Sequence, residues 1–395
     1  MKKLLLATAA VSGLATAAMA ASHSDEIKIG VILGFTGPIE SLTPSMADAA
    51  ELAMKEVTDS GKLLGGAKVT SVRADSTCID SGAATAAAER LVTADGVSAI
   101  MGADCSGVTG AILANVAVAN GVVMISPSAT SPALSTAEDN GLFFRTAPSD
   151  ARQGVVMTEV LMENGINTVA VTYTNNDYGK GLADSFQAAF EAAGGTVTIN
   201  AAHEDGKADY SAEIGALASA GGDRLVVAGY VDQGGSGIVR AALDSGAFET
   251  FHFPDGMISQ ALQDNFGSEI DGSTGQHPGT DSEGNAKFNE MVGDMFDATS
   301  PFTPESYDAA ALIMLAMQAA GSSNGTDFAG KVMEVANAPG EKIFPGELGK
   351  ALDIIAGGGD IDYVGATAVE LIGPGESAGN YRQIEIKNGL IETVK

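Results

Sequence analysis

Hydroxyl side chains gather at two points that an alternation of strands and helices would bring together. Ser106, in Cys105-Ser106-Gly107, stands at the N-cap position before an apolar-rich helical run, Val108–Val118. Ser128 and Thr130, with Ala129 between them, follow Val122–Ile125, a short continuous apolar run typical of a strand buried on both faces. In an open α/β sheet, ligands bind at the carboxyl ends of strands, where backbone N–H groups and helix N-termini face an anion. A small carboxylate suits these two loops; ordinary turn and cap duty is the plainer alternative. Asp255, in Phe253-Pro254-Asp255-Gly256-Met257, follows the strand-like His252-Phe253. A carboxylate there can pair with an ammonium, although Pro-Asp-Gly is also turn chemistry.

Two other patterns invite a chemical reading. Gly375-Glu376-Ser377-Ala378-Gly379 spells the nucleophile elbow of serine hydrolases, which needs a strand before it and a helix after it. Here Ile372-Gly373-Pro374 leads in, an alternating strand-like Arg382–Ile386 leads out, and no histidine follows His277. The segment is therefore expected to be a loop. Cys78 and Cys105 form an even pair on a chain that carries an export signal, so a disulfide is the default. It closes a loop of about 28 residues, worth roughly 3–4 kcal/mol if chain entropy dominates. The four histidines (His23, His203, His252, His277) have no metal-ligand spacing to the cysteines, and neither metal nor cofactor is expected.

The elements that must position these groups follow a βα rhythm. Strands are expected at Ile27–Leu33, Lys68–Ala74 and Ala99–Gly102, with helices at Ser45–Val57 and Ser81–Ala94. After Phe144-Arg145-Thr146 the rhythm restarts with helix Asp150–Asn164, strand Thr168–Thr174, helix Tyr178–Ala193, strand Thr196–Ala201, helix Tyr210–Ser219, strand Arg224–Ala228 and helix Gly235–Ser245. Repeated βα units imply α/β architecture with parallel sheets covered by helices, and two successive runs imply two lobes. Beyond about Gly275 come a long helix, Tyr307–Ala320, glycine-rich loops, and a hairpin of Arg382–Lys387 and Ile391–Val394 turning at Asn388-Gly389.

Met1–Ala20 has the form of a secretory signal: Lys2 and Lys3, the apolar run Leu4–Ala18, and the cleavage triplet Ala18-Met19-Ala20. No cysteine follows the small residues, so a free exported protein starting near Ala21 is expected. The formal charge is −29, tryptophan is absent and aromatic residues are 5%. This balance argues against nucleic acid and anionic membranes as partners.

The wording CSG…ISPSATSPAL, then FFRTAPSDARQG (Phe143–Gly154), Asn176-Asp177-Tyr178-Gly179-Lys180-Gly181 and Ser306-Tyr307-Asp308-Ala309-Ala310, resembles the branched-chain amino-acid binding proteins of ABC importers, which are type I periplasmic binding proteins. The resemblance covers nearly the whole mature chain. It implies two doubly wound parallel-sheet lobes joined by a three-crossing hinge, with crossings near Pro148, near Gly275 and within Gly373–Tyr381. Lobe 1 would comprise residues 21–148 and 277–374, and lobe 2 residues 149–276 and 375–395. Ligand would close the cleft between them.

The same resemblance implies the site. Ser106, Ser128 and Thr130 match positions that hold a ligand α-carboxylate, Ser128 by its backbone and Thr130 by N–H and hydroxyl, with Ala129 bringing backbone close. Tyr178 and Tyr230 match aromatic positions of the second lobe, although by themselves they read as half-buried core residues. Asp255 stands where the family has a glutamate for the α-ammonium, and Phe302 matches an apolar pocket position. The implied function is a periplasmic solute-binding protein, a monomer that carries a neutral, branched-chain amino acid to an ABC permease in the inner membrane without catalysis. The alternatives are a binder of amides, urea or another small organic acid, and a sensor of the same fold that presents its ligand to a receptor. Position 255 separates amino acid from amide, because an amide has no ammonium to pair with it.

Overall fold

The computed structural model describes residues 26–395, so the expected signal segment lies outside the described residues. Ten strands alternate with helices before the chain turns back: β1 Glu26–Leu33, β2 Lys68–Asp75, β3 Ala99–Gly102, β4 Val123–Ser126, β5 Phe143–Pro148, β6 Thr168–Thr174, β7 Thr196–His203, β8 Arg224–Ala228, β9 Phe251–Phe253 and β10 Thr274–Pro278. Six shorter or later strands follow: β11 Glu341–Ile343, β12 Ile361–Tyr363, β13 Leu371–Ile372, β14 Glu376–Ser377, β15 Tyr381–Lys387 and β16 Leu390–Thr393. They form two seven-stranded sheets, β2-β1-β3-β4-β5-β14-β13 and β7-β6-β8-β9-β10-β15-β16, and a separate pair, β11-β12. Within each large sheet the first five strands are parallel, in the same relative order.

The apolar runs explain why. In β8, Leu225 and Val227 pack with the helices Ser211–Ala220 and Gly234–Ser245, while Val226 and Ala228 pack into the cluster that holds the helices Asp150–Glu163 and Asp177–Ala192. A strand covered on both faces needs apolar residues at every position. The helix Thr303–Ala320 packs against β3, β4, β5 and the helix Thr43–Ser60, and every residue from Thr303 to Met317 is buried. A helix that is apolar nearly all round has to be enclosed.

Both sheets change direction of winding at their second strand. The switch points lie at the carboxyl ends of β1 and β3 in the first lobe and of β6 and β8 in the second. That is where open α/β sheets leave a crevice.

The lobes are joined at residues 148–150, 278–283 and 377–381. The second lies later than expected; the third falls within the expected Gly373–Tyr381, but after the lobe boundary expected at residue 374. Gly275 lies inside β10, paired with Phe253 on one side and Ile384 on the other, and the crossing comes only after Pro278. Glu376 and Ser377 pair with β5 of the first sheet, so residues 375–377 go with the first lobe rather than the second. The expected G-x-S-x-G loop contains this short strand, and no helix follows it. The hairpin turns at Asn388-Gly389, whose φ values of 52° and 74° match the left-handed conformation that Asn-Gly favours.

Cys78 and Cys105 are bridged, with S–S 2.05 Å. The bridge ties the loop after β2 to the residue that opens the helix starting at Ser106.

Candidate ligand-binding cleft

The loops at the two switch points face each other and close on one cavity. The first lobe contributes Ile39 and Leu42 after β1, Asp104, Cys105 and Ser106 after β3, Ser128 and Thr130 after β4, and Phe302 before the helix Thr303–Ala320. From the second lobe come Tyr178 after β6, Tyr230 after β8, and Asp255 with Gly256 after β9. Seven of the eight expected ligand residues therefore line one space. The lobes also touch at the rim: Ser41 N–H donates to Asp232 Oδ2 at 2.8 Å, and Asp232 N–H donates to the Pro38 carbonyl at 3.0 Å.

The first-lobe wall is made of neutral donors. Ser106 does not cap its helix; the N-cap residue is Cys105, and Ser106 Oγ accepts from Ser131 N–H at 3.0 Å. Because that hydroxyl is used as an acceptor, its own proton is free to be donated. Thr130 is buried, and its hydroxyl is turned toward the carboxylate of Asp150. Ser128 differs from expectation, since its N–H turns back to Ser126 Oγ and its hydroxyl donates to the Asp104 carbonyl at 3.1 Å. Ala129 does not line the cavity: its N–H donates to Ser126 Oγ at 2.9 Å, and its carbonyl accepts from Arg145. The tight turn needs these backbone groups for itself.

The second-lobe wall carries charge and aromatic surface. Asp255 is fully buried; its Oδ1 accepts from Tyr178 Oη at 2.8 Å and from Gly256 N–H at 2.7 Å, and its Oδ2 accepts from Gln153 Nε2. A Cβ on Gly256 would lie 2.8 Å from both the Gly229 carbonyl and Tyr178 Oη, so only glycine lets this loop press against the tyrosine. Tyr178 and Tyr230 stack with ring centroids 5.0 Å apart. Ile39, Leu42 and Phe302 face them from the first lobe. Neither tyrosine is half-buried in water; both are enclosed, and burial holds both phenols well above their ordinary range.

Reading the sequence one residue at a time does not find Asp150. It opens the helix Asp150–Glu163 directly after the first crossing, is completely buried, and has the Thr130 hydroxyl as the one donor turned to its carboxylate. Burial, then the charge of Asp255, pushes its carboxyl well above the usual carboxylate range. Asp255 is raised by burial too, against the pull of Tyr178, Gln153 and Gly256. Two buried acids thus interact, Asp255 in the cavity wall and Asp150 outside the lining, and they repel each other when both are ionised. Asp104 is the contrast: its Oδ2 accepts from Gly34 N–H at 2.6 Å and its Oδ1 from Ser76 Oγ at 2.8 Å, so it ties the ends of β1, β2 and β3 together. Asp150 and Gln153 both fall within Phe143–Gly154, yet no local pattern marks either as facing Asp255.

Among the described residues, no group of histidines, cysteines and acids is arranged to hold a metal ion. What the cleft can do is hold a small zwitterion, its cationic end on the acid pair and its anionic end on the hydroxyl loops.

Comparison with known proteins places this arrangement. A periplasmic binding protein family model matches residues 26–348. A Leu/Ile/Val-binding protein homologue of Brucella melitensis is 30% identical over 332 residues, covering 82% of this chain and 87% of that protein. A chemotactic signal-transduction substrate-binding protein of Halobacterium salinarum is 29% identical over 389 residues, 93% of this chain and 88% of the relative. Among solved structures, a leucine-binding protein of Thermotoga maritima superposes with a TM-score of 0.78 at 22% identity, over 93% of this chain and 98% of that one.

Proposed function

This chain belongs to the periplasmic binding protein family, and we propose that within it the chain captures a neutral aliphatic α-amino acid, branched-chain in the first instance, and delivers it to an ABC permease. One observation carries this reading. The interlobe cavity has the buried acid Asp255 on one side, the hydroxyls of Ser106 and Thr130 on the other, and an apolar wall of Ile39, Leu42 and Phe302.

The binding chemistry follows from charge placement. A zwitterion entering a cleft that excludes water needs a partner for each end, because an unpaired buried charge costs several kcal/mol. The α-ammonium goes to Asp255 and Asp150, where it relieves a repulsion that the empty cleft has to bear. The α-carboxylate takes the hydroxyls of Thr130 and Ser106 and the free N–H groups at the start of the helix that Ser106 opens. The side chain lies on Tyr178, Tyr230 and Phe302. Since the two ends are held by different lobes, binding and closure are one event. Nothing in this scheme calls for bond-breaking. The family supports a periplasmic location, and we take the chain to act there as a monomer.

The test is a thermal-shift and calorimetric panel on ligand-stripped protein with amino acids, amides and short carboxylates. Binding raises stability by RT ln(1 + [L]/Kd), about 4 kcal/mol at a thousandfold excess over Kd. Leucine, isoleucine or valine should give the largest shifts, and small-angle scattering should show a smaller radius of gyration with ligand. A larger response to acetamide or urea than to any amino acid would overturn the ammonium assignment.

The similarity to a chemotactic substrate-binding protein over 93% of the chain favours a second reading, a sensor that presents the same ligand to a receptor. Permease and ATPase genes beside this one would support delivery, and a receptor gene would support signalling.

A further inference from the structure

A second chamber lies beside the ligand cavity. It is a hollow of about 550 Å³, within the range of small-molecule sites, open to solvent along a rim where Ser41, Gln260, Asp297 and Thr299 are exposed. The two spaces share a partition. Leu42 and Phe302 line the ligand cavity, while their neighbours Ser41, Ser45 and Pro301 line the chamber. Its other wall comes from the second lobe, through Ile258, Gln263, His277, Arg382 and Ile384. The chamber is therefore complete only when the lobes are closed.

Its chemistry centres on two cross-strand neighbours, His277 on β10 and Arg382 on β15. His277 is 7% exposed and lines the chamber. Its Nδ1 lies 2.8 Å from the Pro278 carbonyl, which can only accept, so the ring proton is on Nδ1 and Nε2 is a bare acceptor. Nε2 has no partner among the described residues. Burial holds the ring neutral, its pKa down to about 4. Arg382 commits Nη2 to the Thr280 carbonyl, Asp281 and Asn285 and has Nε buried, which leaves Nη1 with no partner among the described residues. A bare acceptor on His277 and a guanidinium donor at Arg382 Nη1, side by side, suit a group that both donates and accepts, namely a hydroxyl or a primary amide. The charge of Arg382 is already met by Asp281 at 2.6 Å, and Asp297 stands in the opposite wall, so an anion gains little here. The remaining polar lining is hydroxyl and amide.

We propose that this chamber is a second binding site, for a neutral polar small molecule of the polyol or carboxamide class, that forms only in the closed protein and is coupled to the amino-acid site across the Leu42–Phe302 partition. An occupant contacts both lobes, so it favours the closed state. By linkage, amino acid and occupant then raise each other's affinity by the same factor.

The test is saturation-transfer NMR with sorbitol, myo-inositol and malonamide as probes, on ligand-free protein and on protein loaded with whichever amino acid the thermal-shift panel identifies. Loading is confirmed first, so failure of the amino-acid reading is seen separately. Transfer to at least one probe is expected, stronger in loaded protein, with a severalfold gain in amino-acid affinity when that probe is saturating. Ser300→Trp, on the rim loop, should crowd the hollow and weaken transfer severalfold while the fold and amino-acid binding persist. His277→Phe should weaken the probe at least tenfold. No transfer from any of the three probes in either state overturns the proposal, as does transfer that is unchanged by both Ser300→Trp and His277→Phe or is indifferent to loading.

Discussion

Asp308 and Asp150 are both completely buried acids, and the regions around them treat them in opposite ways. In the interior of the first lobe, Asp308 Oδ1 accepts from Tyr363 Oη and Ala366 N–H, both at 2.8 Å, and its Oδ2 from Thr367 N–H at 2.9 Å and Thr367 Oγ1 at 2.7 Å. Burial still raises its pKa to about 6, with the four donors offsetting part of that cost. The loop that supplies them passes so close that a Cβ on Gly365, at φ +60°, would lie 2.4 Å from the carboxylate. At the lobe crossing, Asp150 has only the Thr130 hydroxyl and the charge of Arg145 to set against its burial, and the charge of Asp255 works against it. A buried charge whose bonds are all made by the protein holds the fold together. One whose bonds are left open destabilises the empty state and waits for something to fill them.

The sharpest way to break this contrast is Asp255→Ala. It should weaken amino-acid binding by about 2–5 kcal/mol, the scale for removing one partner of a desolvated charge pair. The melting temperature of the ligand-free protein should fall less than in Asp308→Ala, because the loss of the acceptor for Tyr178, Gln153 and Gly256 is partly offset by the removal of one of two repelling acids. Asp264→Asn is the control, since Asp264 is exposed and bonded to Gln260, and calorimetry should find its affinity unchanged. Asp308→Ala should do the reverse. Four donors lose their acceptor, so denaturant unfolding should show a loss of about 2–4 kcal/mol, while Kd of the folded fraction stays within about twofold. A normal unfolding midpoint in Asp308→Ala, or a normal Kd in Asp255→Ala, would sink the comparison.

Asp150→Asn comes next, with a loss of about 1–3 kcal/mol in binding and a gain in ligand-free stability. The pH dependence supplies the sign. Burial raises the folded pKa of Asp150 above its unfolded value, so its favourable contribution is complete below the unfolded pKa and is lost as pH rises through the folded one. The stability advantage of Asp150→Asn should therefore grow with pH. For the ligand the direction is opposite. An ammonium needs the acids ionised, so binding expels protons held by the pair and tightens with pH until they are gone. Titration calorimetry in two buffers of different ionisation enthalpy reads that proton release; its absence would remove the acid pair from the site. The smallest effect belongs to the neutral wall, where Thr130→Val should cost about 1 kcal/mol of binding, the worth of one net hydrogen bond, and leave its pH profile unmoved.

Much of this was legible from the chain alone, for local reasons. Val122–Ile125 and Arg224–Ala228 are uninterrupted apolar runs, and only a strand covered on both faces needs them. A strand buried that way ends in a polar loop, so Ser106, Thr130, Tyr178, Tyr230 and Asp255 had to emerge at strand ends, and open parallel sheets gather such ends on one side. The cysteine pair and the Asn-Gly turn are likewise decided within short stretches. What escaped depends on contacts between distant segments. Local pattern does not say that the Ala129 and Ser128 N–H groups turn inward to Ser126, because that follows from how tightly the loop folds back. The second crossing and the lobe boundary at residue 374 shifted because β10 and β14 are held by pairing with β15 and β5, partners far away in sequence. Asp150 is one acid among many until the first crossing swings its helix over the second sheet and sets it beside Asp255. His277 and Arg382 become a facing acceptor and donor only through the antiparallel register of β10 and β15. Periodicity records which face of an element is buried; which other element buries it, and what charge it brings, is settled only when the two lobes close.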